Sequence, residues 1–162
     1  MSDGWASLPL TDLGISPVAK NCVNRRNILS AAFKGLRIVL PSGVDKTRSN
    51  DCDYLYRPHS AFAYYTGVQG VEANPDAVLI LEPNGDAHDP ILFIMPRSTR
   101  DTPDFFQDSK YGELWVGRRY TTEDAAARYQ IETRSISDLA KFLEDKKPAV
   151  TIRGEDPKID KL

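Results

Sequence analysis

Two short apolar runs separated by turn-forming residues constrain this fold more than any other feature of the sequence. The runs are residues 77–82 and 91–96, and each has the length of one buried β-strand. The residues between them, 83–90, read PNGDAHDP, a composition that favours reversal of the chain. The sequence therefore predicts that the two runs pair as antiparallel strands.

Helical patterns lie on both sides of this hairpin. Apolar residues recur three or four positions apart over residues 17–33, which is typical of an amphipathic helix. A second helix is expected to begin at Thr121 or Thr122, although Thr122 lacks the acidic residue that would complete a capping box. A third helix is expected to end at Leu143.

Short apolar runs predict two further strands. Residues 36–40 read as a buried strand, and residues 150–152 read as an edge strand. Helices at both ends of a strand-rich middle predict an α/β domain, and the antiparallel hairpin makes its sheet a mixed one.

Five segments carry weaker patterns. Residues 54–58 are a strand or an extended segment, and residues 60–66 are a short helix or a strand. Residues 113–116 are interpreted as a short strand, and residues 131–133 as a strand or a turn. The polar residues 98–112 are interpreted as an exposed insertion loop.

Composition excludes several classes of protein. A chain of 162 residues fits one domain. Its net charge of −2 argues against a nucleic-acid-binding protein, which would ordinarily carry an excess of basic residues. No apolar run approaches the roughly 18 residues that span a bilayer, so no membrane association is expected. Two cysteines are too few for a disulfide scaffold. No signal peptide is recognised, so a cytoplasmic location is expected.

No catalytic or metal-binding motif is present in the sequence. His88 lies in the predicted turn and is expected to be solvated, whereas His59 is either a structural hydrogen-bonding group or a pocket residue. Asp51 and Asp53 would share one face of a strand and could hold a divalent metal, but such a pair is more often solvated. Their charges disfavour the thiolate of Cys52 between them. We therefore predict no catalytic residue and no metal ligand in this chain.

Two segments combine aromatic rings with arginines. Residues 54–67 read YLYRPHSAFAYYTG, which is either an aromatic core strand or a recognition surface. Residues 113–119 read ELWVGRR, which suggests a surface turn with a stacking tryptophan.

The order and spacing of these segments resemble the N-terminal domain of Xaa-Pro aminopeptidase (aminopeptidase P), in the creatinase and prolidase superfamily. The resemblance covers about residues 20–145. The residues that carry it are Arg48, Asp51, Tyr56, Arg57, Ser60, Phe62, Tyr64, Thr66, Gly67, Arg100, Asp101, Glu113, Trp115, Gly117, Arg118 and Arg119. Ala61 stands where the family usually has aspartate, which removes a possible cap.

This resemblance implies a six-stranded mixed sheet flanked by helices, often described as ribonuclease H-like. The irregular residues 1–16 are interpreted as an N-terminal arm that has no assigned counterpart in the family, and the domain itself is expected over residues 17–153. Residues 154–162 have no core pattern and are interpreted as the start of a linker. In the family, catalysis belongs to a C-terminal "pita-bread" domain that holds two metal ions, usually manganese. This chain alone is therefore expected to be inactive. Its expected partners are that domain, further copies of itself and a peptide substrate with proline second.

The resemblance also implies which residues lie near the substrate. Trp115 matches a tryptophan that reaches a neighbouring subunit's active site, and Asp51 matches an aspartate near the active-site entrance. Arg57, Arg118 and Arg119 are supporting candidates, and the alternative is that these arginines form salt bridges within the domain.

Two other functions remain as alternatives. Some superfamily members have lost the metal site, and the first alternative is therefore a stand-alone binding module. The ribonuclease H-like topology also suggests a nuclease, but the sequence offers no converging set of carboxylates and fold alone does not give function.

Overall fold

A computed structural model describes residues 14–50 and 52–161 of the chain. The α-helices are α1 (Ala19–Ala32), α2 (Ser60–Thr66), α3 (Asp104–Gln107), α4 (Glu113–Val116), α5 (Thr122–Tyr129) and α6 (Leu139–Phe142). The strands are β1 (Arg37–Pro41), β2 (Thr47–Ser49), β3 (Cys52–Asp53), β4 (Val78–Asn84), β5 (Ala87–Ile94), β6 (Glu132–Ser135) and β7 (Ala149–Thr151). Single 3-10 turns occupy Gly70–Glu72, Ile136–Asp138 and Ile159–Lys161.

The main sheet is mixed, as the sequence predicts. Its order is β6-β5-β4-β1-β7, in which β4 pairs antiparallel with both β1 and β5. Both edge strands, β6 and β7, run parallel to their neighbours. The described residues contain five strands in this sheet rather than the expected six, because residues 113–116 are helical and β2 and β3 form a separate small hairpin.

The central hairpin is confirmed, and its turn is shorter than expected. Pairing continues to Asn84 and Ala87, so only Gly85 and Asp86 connect the strands. Gly85 has φ of 61°, a conformation that glycine adopts without a steric penalty at the first loop position of a hairpin. Most of the turn-forming residues therefore belong to strands.

Helices cover both faces of the sheet, which gives three layers. On one face, alternate strand residues such as Leu79 and Leu92 pack with Phe62 of α2 and Tyr129 of α5. On the other face, Ile80, Phe93 and their neighbours pack against α6. The strict alternation of a pleated strand places successive residues of β4 in different cores.

The interpretation of residues 98–112 as a loop and of residues 113–116 as a strand is corrected. Helix α3 lies within the first segment and buries Phe105. Gly112 packs so closely on this turn that a Cβ atom would overlap the carbonyl oxygens of Asp104, Phe105 and Asp108. From that contact the chain enters α4, whose Glu113 makes buried contacts while its apolar residues stay exposed.

The C-terminal segment contributes to packing. Residues 154–161, assigned from the sequence to a linker without core residues, place Ile159 in the second core beside Val39 and Ile80. The expectation that this segment contributes nothing to a core is therefore wrong. The predicted domain boundaries stay predictions, and residues 1–13 of the predicted arm lie outside the described residues.

Candidate substrate-proximal surface

Helix α4 is tied to the chain that follows β5. The side chain of Glu113 is only 7% exposed, and its carboxylate accepts a hydrogen bond from Arg97 Nε at 2.8 Å. The backbone N–H of Arg119 donates to the same oxygen at 3.5 Å. One buried carboxylate therefore fixes both ends of the segment that carries Trp115.

Trp115 lies on the solvent side of this anchored helix. Its side chain is exposed, and its Nε1–H donates to the carbonyl of Phe106 at 2.8 Å. The neighbouring side chains Phe106, Leu114 and Val116 are also exposed, although all are apolar. We call these four residues the α4 surface. Adjacent apolar groups on a solvent-facing surface are characteristic of interaction sites.

Arg119 is buried beneath this segment. It donates to Asn74 Oδ1 through Nη1 and to the carbonyl of Lys110 through Nη2 at 2.9 Å. Its guanidinium also lies over the ring of Tyr111, 5.2 Å from the centroid. Burial lowers the pKa of this guanidinium, and the charges of Tyr111 and Asp108 oppose that effect. Its contacts hold the chain after α4 against the loop before β4.

A second polar cluster supports the same region. Lys110 Nζ lies 2.6 Å from Asp76 and 3.4 Å from Asp45, and the Tyr111 hydroxyl donates to Asp76. Burial raises the pKa of the Asp76 carboxyl, but the hydrogen bonds from Lys110 and Tyr111 outweigh it and lower that pKa. Sequence reasoning missed this cluster because it placed Lys110 and Tyr111 in an exposed loop.

The segment around Arg57 is fixed through its neighbours. The Tyr56 hydroxyl donates to the carbonyl of Ser42 at 2.9 Å, and burial is the main cause that raises the Tyr56 pKa to about 12. His59 caps helix α2 by accepting a hydrogen bond from the N–H of Ala61 at 3.2 Å. The side-chain cap of helix α2 therefore comes from His59 and not from residue 61.

Arg57 itself is exposed. Its Nη2 lies 3.2 Å from the Ser60 hydroxyl, and it borders a groove of about 340 Å³ with Leu55, Pro58 and Gln69. The side chain of Arg118 is half-buried, and its Nε has no hydrogen-bond partner among the described residues. The Arg57 guanidinium is therefore open to a further partner, whereas the unbonded Nε of Arg118 is buried.

The structure groups three of the five predicted residues. Trp115, Arg118 and Arg119 share one segment, Arg57 lies in the separate groove, and Asp51 lies outside the described residues. None of the three arginines forms a salt bridge within residues 14–50 and 52–161, so the alternative of internal ion pairs is not supported there.

The described residues hold no metal-binding cluster and no membrane-spanning helix. Within residues 14–50 and 52–161, no three histidine, cysteine, aspartate or glutamate side chains converge as metal ligands would. The helices of that same part of the chain are too short or too polar to cross a bilayer. What the arrangement offers is a hydrogen-bonded platform that presents an indole ring to solvent.

Comparison with known proteins connects this geometry to a family. The profile described as "Aminopeptidase P, N-terminal domain" matches residues 22–151. Xaa-Pro aminopeptidase 1 of Streptomyces coelicolor is 40% identical over 161 residues, which are 99% of this chain and 32% of that protein. Xaa-Pro aminopeptidase 2 of the same organism is 36% identical over 165 residues, covering 99% of this chain and 34% of that protein.

Solved structures show the same similarity. Aminopeptidase P from E. coli with the inhibitor Pro-Leu superimposes with a TM-score of 0.71 at 25% identity, over 91% of this chain and 31% of that one. Proline aminopeptidase P II from Yersinia pestis gives a TM-score of 0.70 at 25% identity, over 88% and 31% of the respective chains. The chain thus spans about a third of the length of its relatives. It belongs to the aminopeptidase P N-terminal domain family.

Proposed function

We propose that this chain is the non-catalytic N-terminal domain of a metal-dependent Xaa-Pro aminopeptidase, a hydrolase that removes the residue preceding proline. The proposal is supported by relatives that carry this activity in their names and are about three times as long. Under this proposal, a C-terminal domain of the same polypeptide performs the hydrolysis. The N-terminal domain described above serves oligomerisation and access to the active site.

The main observation for this role is that the apolar side chains of the α4 surface are exposed, whereas the segment that carries them is held in place by buried hydrogen bonds. Trp115, Leu114, Val116 and Phe106 expose apolar area that gains free energy when it is covered. The segment beneath them is held by hydrogen bonds to buried side chains, so little conformational freedom is lost on contact. We propose that this surface contacts a second copy of the protein and that Trp115 lies near the peptide substrate there.

The remaining candidates follow from the same proposal. Asp51 lies near the entrance to the active site, and Arg57 and Arg118 offer guanidinium donors to carboxylates of the substrate or of the other domain. Arg119 acts as a positioning residue for the segment that carries Trp115. The two divalent metal ions, with manganese as the expected metal, belong to the C-terminal domain, and the location is cytoplasmic.

The experiment uses the parent polypeptide that contains this chain and its expected C-terminal domain. Release of the first residue from an Xaa-Pro peptide is measured with added manganese, and oligomeric mass is measured by sedimentation. Trp115→Ala is expected to lower kcat/KM at least about tenfold, the equivalent of roughly 1.4 kcal/mol of transition-state stabilisation, and to shift the mass towards a smaller oligomer.

Val71→Ala is the matched control, because Val71 is a fully exposed apolar residue outside the α4 surface. It is expected to leave both measurements unchanged. The 162-residue chain alone is expected to release nothing from the same peptide. Activity of that chain alone would overturn the non-catalytic assignment, and an unchanged mass and kcat/KM for Trp115→Ala would overturn the role of the α4 surface.

A further inference from the structure

A cavity lies between helix α1 and the sheet, and it shares no residue with the α4 surface. Its volume is about 240 Å³, which at roughly 30 Å³ per water molecule is room for several water-sized groups. Its lining includes Val23, Arg26, Asn27, Leu81, His88 and Gln130. Among the described residues, none that lines the cavity is acidic.

Arg26 is the only arginine, lysine or acidic residue that the described part of the chain contributes to this cavity, and it is 5% exposed. Its Nη1 donates to the carbonyl of Tyr65 at 2.8 Å, near the C-terminal end of α2. Within residues 14–50 and 52–161, no carboxylate forms an ion pair with this guanidinium and no other acceptor bonds to it. Four of its five N–H donors are therefore unused by the described residues.

A second buried arginine shows how carboxylates neutralise a buried positive charge in this domain. Arg37, 2% exposed, bonds to the carboxylates of both Glu82 and Asp145 at 2.5 to 3.0 Å. These contacts raise the pKa of Arg37, whereas burial lowers the pKa of Arg26. Buried cations are ordinarily paired, because removing a charge from water is costly. Arg119, which also lacks a carboxylate partner among the described residues, bonds two neutral oxygens, whereas Arg26 bonds one neutral carbonyl and borders a cavity.

The opposite wall of the cavity offers no carboxylate among the described residues that could pair with Arg26. His88 Nε2 donates to the carbonyl of Leu36 at 2.8 Å, and its Nδ1 is hydrogen-bonded to the Ser30 hydroxyl at 2.7 Å. These bonds hold the His88 ring in place, and the expectation that it is solvated in a turn is wrong. Asn27, on the same helix as Arg26, adds an amide donor to the lining.

We infer that this cavity binds a small oxyanion, a carboxylate or phosphate group, on the guanidinium of Arg26 with Asn27 as a second donor. The planar fork of arginine matches two oxygens of such a group and compensates the buried charge. This site is independent of the proposed peptidase role, since neither the α4 surface nor a C-terminal domain takes part in it.

The test is a titration of the 162-residue chain with inorganic phosphate and, separately, with acetate at constant ionic strength. Binding is followed by broadening of the phosphorus-31 or acetate carbon-13 signal. Saturable binding is expected, and Arg26→Gln is expected to raise the apparent Kd at least tenfold. Tighter binding of phosphate than of acetate would assign the site to phosphate groups, and the reverse order would assign it to carboxylates.

Arg25→Gln is the matched control, because Arg25 also donates to a carbonyl of α2, that of Tyr64 at 3.0 Å, but does not line the cavity. It removes the same charge and is expected to change Kd less than twofold. Val23→Phe is a second variant that fills the cavity and leaves Arg26 in place, and it is expected to weaken binding as Arg26→Gln does. Absence of saturable binding to the unmodified chain would overturn the inference. An equal loss of affinity in Arg25→Gln and Arg26→Gln would also overturn it. If Arg26→Gln does not fold, the affinity of Val23→Phe for the anion decides the question.

Discussion

Glu72 shows how a single carboxylate can hold several parts of this domain together. One oxygen accepts from Tyr120 at 2.9 Å and lies 2.6 Å from Arg128, and the other accepts from Tyr129 at 2.6 Å. Burial raises the pKa of this carboxyl, but its hydrogen bonds with Arg128, Tyr129 and Tyr120 outweigh burial and lower the pKa below its ordinary value of 4.5. The folded state therefore binds the proton more weakly than the unfolded chain.

The stability contributed by Glu72 should depend on pH with a definite sign. Because its pKa is lower in the folded state, its contribution is present above pH 4.5 and is lost as pH falls through the folded-state pKa. At pH 7, Glu72→Gln is expected to lower the free energy of unfolding by about 1–3 kcal/mol. In urea titrations at successive pH values, this difference from the unmodified chain should shrink below pH 4.5.

Glu132→Gln serves as the control for this prediction. Glu132 pairs with Arg134 at 2.6 Å, but both side chains are substantially exposed, so the substitution is expected to lower the free energy of unfolding at pH 7 by only about 0–1 kcal/mol. A Glu72→Gln difference that stayed constant from pH 7 to pH 3 would contradict the assignment.

Residue types and spacing predicted part of the candidate surface. The motif placed Trp115 at an exposed position without any knowledge of its neighbours. It could not predict that Arg119 is buried, because the amide that Arg119 bonds belongs to Asn74, 45 residues away. Likewise, nothing in the local sequence around Arg26 reports the cavity beside it. Contacts between distant segments leave no local pattern.

At the scale of elements, α4 shows where periodicity fails. Four residues are too few to distinguish a strand from a helix by the spacing of apolar positions. The helix is decided instead by tertiary contacts, namely the buried Glu113 carboxylate and the close approach of Gly112 to the α3 turn. Helix α5 was easier to locate, although its cap is Thr121, whose capping box is completed by Asp124.

Gly112→Ala tests whether this close approach fixes α4. A Cβ atom at this position would overlap three carbonyl oxygens of α3 and its following turn, so the turn must shift. We expect a loss of about 1–3 kcal/mol in the free energy of unfolding, the usual cost of overpacking. In a Trp5→Phe background, the emission of Trp115 should also change, because its Nε1 bond to Phe106 spans this contact.

Gly14→Ala is the comparison, because no heavy atom lies within 4 Å of the position its Cβ would take. It is expected to change stability by less than about 0.5 kcal/mol. Equal effects of the two substitutions would show that Gly112 has no special steric role.

At the scale of the whole molecule, the sheet is completed by the last part of the chain. The fold class and the central hairpin were predictable because β4 and β5 are long and adjacent in sequence. The role of residues 154–161 was not, because a single apolar residue, Ile159, carries no periodic pattern. Its burial depends on a core face assembled from β1, β4 and β5.

Ile159→Ala measures what this segment contributes. Ile159 is buried in the second core, so its truncation leaves a cavity, and about 2–4 kcal/mol of unfolding free energy should be lost. Val71→Ala removes an apolar side chain that is fully exposed, and should cost less than about 0.5 kcal/mol. A thermal or urea unfolding curve for Ile159→Ala that matched the control would place residues 154–161 outside the cooperative unit.

The pairing of β1 with β7 also governs the order of events during synthesis. Arg37 in β1 bonds Asp145, 108 residues further along, and β7 and Ile159 follow still later. On the ribosome, β1 and β4 can pair early, but one edge of the sheet and the second core must wait for those late residues. Closing so long a loop is entropically unfavourable and slow, so the nascent domain exposes an unpaired strand edge while synthesis continues. Such intermediates are the species that chaperones protect from aggregation.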